Sequence, residues 1–159
     1  LGTKIKDIEI HNPKFELNKI KRIIYEAYNN HPNFNFFYDF LNKIFDEKNW
    51  ISLSELNIEI IKRICDLLLI KPSFRLSSEL NNIKDKNLNL IKLCKFFNCD
   101  TYLLGEGGKN YINEDLFRQN DINLTWHDWK EKQYKQFNNN RYFEKLSIID
   151  YIFNNETNK

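Results

Sequence analysis

Apolar residues recur at helical spacing through the first half of the chain. This periodicity predicts helices over about residues 13–29 and 52–69, and a third between them that carries an aromatic stripe from Phe37 to Phe45. Ser52 stands at the start of the helix predicted over about residues 52–69, and Glu55 follows three residues later. This is the spacing of a capping box. Residues 4–10 alternate charged and apolar side chains and predict a strand. The first half is therefore expected to be largely helical.

The second half alternates short apolar runs with helical patterns. Strands are predicted at 74–76, 101–104 and 122–128, and helices at about 87–97, 113–119 and 143–153. Consecutive strand–helix–strand units imply parallel strands joined by right-handed crossovers. The predicted class is α/β, with a small parallel sheet and crossover helices after the helical half. At 159 residues the chain fits a single domain, helix-rich over 1–71 and built of strand–helix–strand units over 72–159.

Parallel strands end at one edge of a sheet, and such an edge is where open α/β folds bind ligands. The first predicted strand leads into Ser77, Ser78 and Glu79. The second leads into residues 105–109, and the third contains His127 and Asp128 at its end. Hydroxyls, carboxylates, a glycine-rich turn and an imidazole are therefore expected to converge there.

Three of the four glycines in the chain lie between positions 105 and 108. Gly105 and Gly107 supply G-x-G, but Asn110 stands where a dinucleotide fingerprint requires a third glycine. Lys109 follows Gly108 as in a P-loop, yet Asn110 replaces the Ser/Thr that must come next. The carboxylates of Glu106, Glu114 and Asp115 surround the following helix start, which favours a hydroxyl or an amine over an anion. A tight turn before a well-capped helix is the alternative interpretation.

His127 could act as a general base if it reaches a substrate proton, although a surface or packing role remains open. Asp128 follows it directly and should point to the opposite face of the strand. Ser77, Ser78 and Glu79 could equally form a turn or helix cap, and no Gly-x-Ser-x-Gly elbow supports a nucleophilic serine. Trp126 and Trp129 should face opposite sides, one in the core and the other available to stack on a sugar or base. Asn110 and Tyr111 complete the expected binding loop.

Composition narrows the function further. The 24 basic residues nearly balance the 22 acidic ones, and no basic block indicates nucleic-acid binding. No apolar stretch approaches the length of a membrane span. Three cysteines without a signal peptide indicate a reducing cytoplasm, and the C-x4-C pair formed by Cys94 and Cys99 lacks the further ligands that zinc requires. No metal is expected and no cofactor is indicated. The chain opens at Leu1 without a methionine, which suggests a piece of a longer protein.

Asp150 and Asn154 lie four residues apart on the last predicted helix, within an apolar run. A buried aspartate requires a partner, so Asp150 should either cap an adjacent loop or face a pocket.

The chain from Ser77 to Asn154 resembles the WbqC-like proteins of bacterial polysaccharide and O-antigen gene clusters. The resemblance rests on Ser77-Ser-Glu-Leu80, on residues 100–105, on Gly107-Gly-Lys-Asn-Tyr111, on Ile122-Asn-Leu124 and on Leu146–Asn154. Two features of the family are missing: an initial His-Gln-Pro segment, and the histidine and both prolines of a His-Pro-x-Tyr-Pro-Gln run. From that run, Tyr134 and Gln136 remain.

The resemblance implies acyl or aminoacyl transfer, for example of glycine, to the amine of a nucleotide-linked amino sugar. Under this hypothesis His127 takes the amine proton, Glu79 and Glu106 hold the amine, and the N–H groups of Gly107 and Gly108 hold an oxyanion. The competing hypotheses are a non-catalytic sugar- or nucleotide-binding module of a glycan-assembly complex, and a helical interaction protein built around residues 14–69.

Overall fold

The computed structural model of the protein describes residues 2–80, 83–128, 130–137 and 141–155. These residues belong to two compact units. One comprises Leu1–Phe74 with Glu131–Lys159 and is called the helical unit; the other comprises Arg75–Lys130 and is called the strand unit. In chain order the elements are α1 (Pro13–Tyr28), α2 (Phe34–Asp46), α3 (Leu53–Leu67), α4 (Lys86–Phe96), β1 (Thr101–Leu104), α5 (Glu114–Arg118), β2 (Asn123–Trp126) and α6 (Ile148–Asn154). The predicted α/β class, with a small parallel sheet after a helical half, is confirmed.

The core of the helical unit forms around α2. The aromatic stripe of this helix is buried, and Phe37 and Ile44 are 0% and 2% exposed. Buried apolar side chains from the other three helices pack into the same cluster: Leu17, Leu56, Ile152 and Phe153. Thus α6, although last in the chain, supplies part of this core.

Ser52 caps α3 as predicted, because its Oγ accepts a hydrogen bond from the Glu55 N–H at 3.3 Å. The Glu55 carboxylate accepts a bond from Lys48 Nζ at 3.1 Å. Trp50, which is 3% exposed, donates its indole N–H to the Ile44 carbonyl at 2.8 Å. A buried side chain thereby satisfies one carbonyl at the end of α2.

Two of the predicted strands are wrong. Residues 5–7 form a 3-10 turn, and Glu9 makes an antiparallel β-bridge with Ser52. Two hydrogen bonds close this bridge: the Ile10 N–H donates to the Ile51 carbonyl at 2.7 Å, and the Leu53 N–H donates to the Ile8 carbonyl at 3.1 Å. Residues 74–76 have no regular structure and are exposed. The first segment forms a bridge instead of a strand because its backbone turns at residues 5–7, whereas residues 74–76 pair with no strand among the described residues. The parallel sheet in the described part of the chain consequently has two strands.

The last helix begins five residues later than predicted. The Phe143 N–H donates to Gln136 Oε1 at 2.9 Å, and the Lys145 N–H donates to Glu131 Oε2 at 2.7 Å. Lys145 also has a left-handed backbone, with φ of 60°. These side-chain acceptors hold the segment out of the helix until Ser147, whose Oγ caps α6 through the Ile149 N–H at 3.4 Å.

In the strand unit, β1 and β2 pair in parallel, with Thr101 opposite Asn123 and Leu104 opposite Trp126. The inner face of the sheet packs on α4 and α5 around the buried residues Ile91, Cys94, Phe117 and Ile122. On the other face, Thr101 and Leu103 are exposed. The connection from β1 through α5 to β2 is therefore the predicted strand–helix–strand unit.

Three helices end with the same backbone motif. Leu69, Asn98 and Asp121 have φ of 57°, 52° and 58° just after α3, α4 and α5. The residue that follows each of them donates its N–H back five positions, closing a Schellman motif; for α3 this bond joins Ile70 to Cys65 at 2.8 Å. Glycine normally occupies the left-handed position, so this glycine-poor chain accepts backbone strain at its helix ends.

Candidate functional site

The carboxyl ends of β1 and β2 lie side by side in the strand unit. Leu104 is the last residue of β1, and its carbonyl accepts a 2.7 Å hydrogen bond from the His127 N–H, one residue beyond β2. This bond extends the ladder past the last strand residue. As a result, the chain leaves the sheet at Gly105 and at His127 along one edge, as the sequence predicts for these two strands.

The glycine-rich segment after β1 is a 3-10 helix over Glu106–Asn110, preceded by Gly105. The Gly108 N–H donates to the Gly105 carbonyl at 2.9 Å, so it is engaged and is not the oxyanion donor that the sequence led us to expect. The Gly108 carbonyl accepts bonds from the N–H groups of Tyr111 and Ile112, each at 3.1 Å. This segment is a closed turn held by its own backbone.

Gly108 is required for steric reasons. It is buried, and a Cβ at this position would lie 2.9 Å from Leu104 Cδ2 and 3.7 Å from the Trp126 ring. At Gly105 and Gly107 an added Cβ would meet nothing within 4 Å. Gly108 thus packs the turn onto the ends of both strands, while Gly105 and Gly107 lie exposed.

Asn87, which the sequence analysis missed, fixes the end of this turn. Its Nδ2 donates to the Tyr111 carbonyl at 3.1 Å, and its Oδ1 accepts from the Asn113 N–H at 2.9 Å. Asn113 in turn caps α5 by accepting from the Leu116 N–H at 3.1 Å. Lys86 Nζ lies 5.8 Å from the centroid of the Tyr111 ring. The first turn of α4 therefore positions the exit of the glycine turn and the start of α5.

The candidate side chains on this edge face solvent. His127 and Asp128 are both exposed, as are Glu106, Asn110 and Tyr111. Trp126 is 38% exposed, and its ring lies against the glycine turn. The backbone of Lys109 belongs to the 3-10 turn, but its side chain and the whole of Trp129 lie outside the described residues.

Ser77, Ser78 and Glu79 form an exposed 3-10 turn in the strand unit. Their predicted place at the sheet edge depended on a strand at 74–76, and that strand is not formed. The structural argument for their convergence with His127 is therefore lost. Of the acidic residues around α5, Asp115 pairs with Arg118 at 2.5 Å on the exposed surface.

A buried polar cluster lies in the helical unit. Asp150, 8% exposed, accepts a 2.6 Å bond from the Tyr134 hydroxyl and a 3.1 Å bond from Asn154 Nδ2. Asn154 Oδ1 accepts the Phe137 N–H at 2.6 Å. Asp150 thus has the partner that its burial requires, and with Asn154 it ties residues 134–137 to α6.

The pKa shifts of Tyr134, Tyr28 and His31, which surround Asp150, all favour the neutral forms of these side chains. Burial raises the pKa of Tyr134 above its usual 10, and its hydrogen bond to Asp150 raises it further. The pKa of Tyr28 is also raised, first by burial and then by the charge of Asp150. Burial lowers the pKa of His31 below 6.5, and the Asp150 charge opposes this only in part. Within the described residues the buried His31 Nδ1 has no hydrogen-bond partner.

Each unit has a surface groove, and neither of these two grooves is lined by His127 or by residues of the glycine turn. A groove of about 530 Å³ lies beside α5 and the amino-terminal half of β2, lined by Glu114, Arg118 and residues 121–124. A second, of about 230 Å³, lies in the helical unit between the start of α1 and the end of α2. Among the described residues, no group of three or more His, Cys, Asp or Glu side chains is arranged to hold a metal ion. None of the helices described is both long and apolar enough to cross a bilayer.

Comparison with known proteins bears on the whole chain. The model of the WbqC-like protein family matches residues 1–159. The chain is 30% identical over 118 residues to the uncharacterized protein Rv1507c of Mycobacterium tuberculosis, a match that covers 73% of this chain and 50% of the relative. The chain thus spans about half the length of that relative. No solved structure matches it. The chain belongs to the WbqC-like protein family, and this membership suggests a role in polysaccharide-related biosynthesis.

Proposed function

We propose that the protein acts in surface-polysaccharide biosynthesis and transfers an acyl or aminoacyl group to the amine of a nucleotide-linked amino sugar. The observation that carries the proposal is the edge where β1 and β2 end, with an exposed imidazole at His127 and an exposed carboxylate at Glu106. This edge is the usual ligand position in open α/β folds. Family membership supports the glycan context.

In this reaction the amine nitrogen attacks the carbonyl carbon of an activated acyl donor. A carbon–nitrogen bond forms, and the bond from the carbonyl carbon to the donor's leaving group breaks. His127 accepts the proton that the amine loses and passes it to the leaving group. Glu106 holds the amine. We assign Glu79 the same role from the sequence, although no strand at residues 74–76 places it at this edge, and Asp128 contributes negative charge one residue from His127 in the chain. Because the Gly108 N–H is engaged, Gly107 is the backbone donor that we assign to the oxyanion.

The remaining residues of the predicted loop contact substrate rather than reacting atoms. Asn110, Tyr111 and the Lys109 side chain are proposed to bind the sugar or phosphate groups, with Ser77, Ser78 and Trp129 as further contacts and Gly105 and Gly108 shaping the turn. Free thiols at Cys65, Cys94 and Cys99 suit a cytoplasmic location, where nucleotide sugars would be the substrates.

The first test is thermal stability against a panel of nucleotide-linked amino sugars, ATP, glycine and acyl donors. A ligand present at a hundred times its dissociation constant adds roughly 2.7 kcal/mol, which raises Tm by about 5–11 °C for a chain of this size. A selective shift with one nucleotide sugar supports the proposal, and no shift across the panel with a folded protein contradicts it.

The second test separates catalysis from binding. His127→Ala should abolish turnover and preserve the thermal shift, whereas His11→Ala, which alters an exposed histidine in the helical unit, should change neither. Full turnover by His127→Ala would refute the assigned base. Binding without turnover in the unmodified protein would instead favour a sugar-binding module of a glycan-assembly complex.

A further inference from the structure

A backbone hydrogen bond joins two cysteines at the end of α4. The Cys99 N–H donates to the Cys94 carbonyl at 2.8 Å, and the Asn98 N–H donates to the Lys95 carbonyl at 3.1 Å. Together with the left-handed Asn98, this is the complete Schellman pattern. A side-chain contact between the two residues joined by the longer bond frequently accompanies this motif. Here those residues are Cys94 and Cys99.

The same motif at α5 shows what this pairing does in this protein. There the equivalent positions are Phe117 and Ile122, joined by a 3.1 Å bond. Both are buried, at 0% and 6% exposed, in the core of the strand unit. At α4 the equivalent positions are two thiols: Cys94 lies in the same core, and Cys99 is exposed, so core packing does not account for Cys99.

The backbone geometry keeps the Cα atoms of the two cysteines no farther apart than a disulfide can bridge. With a 2.8 Å bond between the Cys99 nitrogen and the Cys94 oxygen, standard bond lengths keep the two Cα atoms within about 7 Å. Disulfides bridge Cα atoms up to about this separation. Both cysteines are free thiols.

Their environments differ in the way that a reactive and a resolving thiol differ. Cys99 is exposed, and its Sγ donates to the Phe97 carbonyl at 3.6 Å. Cys94 is 6% exposed, and burial, followed by the charge of Cys99, raises its pKa. An oxidant from solution therefore meets Cys99 first, while Cys94 stays protonated beside it.

We propose that Cys94 and Cys99 form a peroxide-reactive pair that closes to an intramolecular disulfide at the turn between α4 and β1. The Cys99 thiolate attacks one peroxide oxygen, which yields a sulfenic acid and releases hydroxide. The Cys94 sulfur then attacks the sulfenic sulfur, the S–S bond forms, and the sulfenic hydroxyl leaves as water with the Cys94 proton. The two thiols lose two electrons, which reduce the peroxide. The bond would fix the turn that leads into β1.

The test treats the full chain with hydrogen peroxide and measures free thiols, intact mass and the linked peptides. The protein should lose two of its three free thiols, and its mass should fall by two hydrogen atoms. No disulfide should join two chains. Digestion should yield a Cys94–Cys99 linked peptide, and Cys65 should still react with an alkylating agent. Cys65→Ser should show the same two-thiol loss. Cys99→Ser, a change at an exposed position, should keep its circular dichroism spectrum and form no disulfide.

Three outcomes would overturn the proposal. One is over-oxidation of Cys99 to sulfinic acid while Cys94 still reacts with an alkylating agent. Another is a disulfide that joins two chains through Cys99. The third is a bond that includes Cys65. The test uses Cys99→Ser and needs no substitution of the buried Cys94, so it does not depend on whether a Cys94 variant would fold.

Discussion

Replacing Gly108 by alanine should destabilise the edge where β1 and β2 end. The added Cβ would lie 2.9 Å from Leu104 Cδ2, closer than real carbon contacts allow. Leu104 is 2% exposed, so its side chain has little room to move away. Overpacking of this kind costs about 1–3 kcal/mol.

Two further effects contribute to the change in the free energy of unfolding of Gly108→Ala. Alanine restricts the unfolded chain, which stabilises the folded state by about 0.4–1 kcal/mol where the backbone suits it. Gly108 does not have a positive φ, so no conformational strain is added. The net destabilisation should therefore be about 1–2 kcal/mol. Gly107→Ala is the matched control, because its Cβ meets nothing within 4 Å, and it should stabilise by up to about 1 kcal/mol.

Amide hydrogen exchange measures this effect where it occurs. The Asn123 and His127 N–H groups donate to the Asp100 and Leu104 carbonyls, both at 2.7 Å, and so report on the pairing of β1 with β2. Their protection should fall in Gly108→Ala and hold or rise in Gly107→Ala, with a difference of about 2 kcal/mol, or roughly thirty-fold.

The steric explanation can be refuted directly. If Gly108→Ala and Gly107→Ala exchange alike, the close approach of Leu104 does not govern this position. A double variant adds a stricter test. Leu104→Ala should lower the free energy of unfolding by less in the Gly108→Ala protein than in the wild type, because removing the Leu104 side chain relieves the clash. Additive costs would reject the contact as the cause.

Three further predictions concern other sites. Leu69→Gly should stabilise the protein by about 1 kcal/mol in urea unfolding, because Leu69 is 76% exposed and has φ of 57°; a loss of stability would show that its side chain packs in solution. Tyr134→Phe should cost about 1.5–3 kcal/mol in the same assay, since it removes the 2.6 Å bond to buried Asp150, and an unchanged midpoint would contradict this role. His31→Phe should keep the ring contacts to Tyr28 and Phe137 and remove a titrating group. Because burial lowers the pKa of His31 in the folded state, the unfolded chain binds the proton at a higher pH than the folded chain does. The wild type should therefore lose stability relative to the variant as pH falls below 6.5. Parallel curves of stability against pH for the two proteins would exclude this linkage.

The helices could be predicted from the sequence because their determinants are local. The stripe of α2 and the Ser52 cap of α3 each lie within one segment and depend on no distant partner. Strands differ, because their formation depends on distant partners. Residues 5–7 form a 3-10 turn and leave a single β-bridge from Glu9 to Ser52, and residues 74–76 pair with no strand among the described residues. The predicted start of α6 was wrong for a related reason. The N–H groups of Phe143 and Lys145 donate to the side chains of Gln136 and Glu131, and the spacing of apolar residues does not reveal such bonds.

The candidate site was predicted in part. The pairing of β1 with β2 brings the glycine turn and His127 to one edge, as parallel topology requires. The sequence led us to expect Gly108 as a backbone donor, but its N–H bonds the Gly105 carbonyl, and the structure shows close packing at this position. Asn87 was missed because a polar residue in the first turn of a helix normally faces water, and nothing in the sequence links it to Tyr111 or Asn113.

The residues behind the family resemblance play different physical roles. Tyr134 and Gln136, which remain from the family's His-Pro-x-Tyr-Pro-Gln run, are engaged in the helical unit: Tyr134 bonds Asp150 at 2.6 Å, and Gln136 exchanges two bonds with the backbone of Phe143. Asn154 holds the Phe137 N–H. These contacts fasten the end of the chain to the helices and preserve the fold whether or not the protein reacts with a substrate. His127 lies exposed at the sheet edge, where a substitution costs little stability. A relative that keeps the Tyr134, Gln136 and Asp150 positions but lacks His127 should therefore fold in the same way and, under the proposed mechanism, bind the sugar without turning it over.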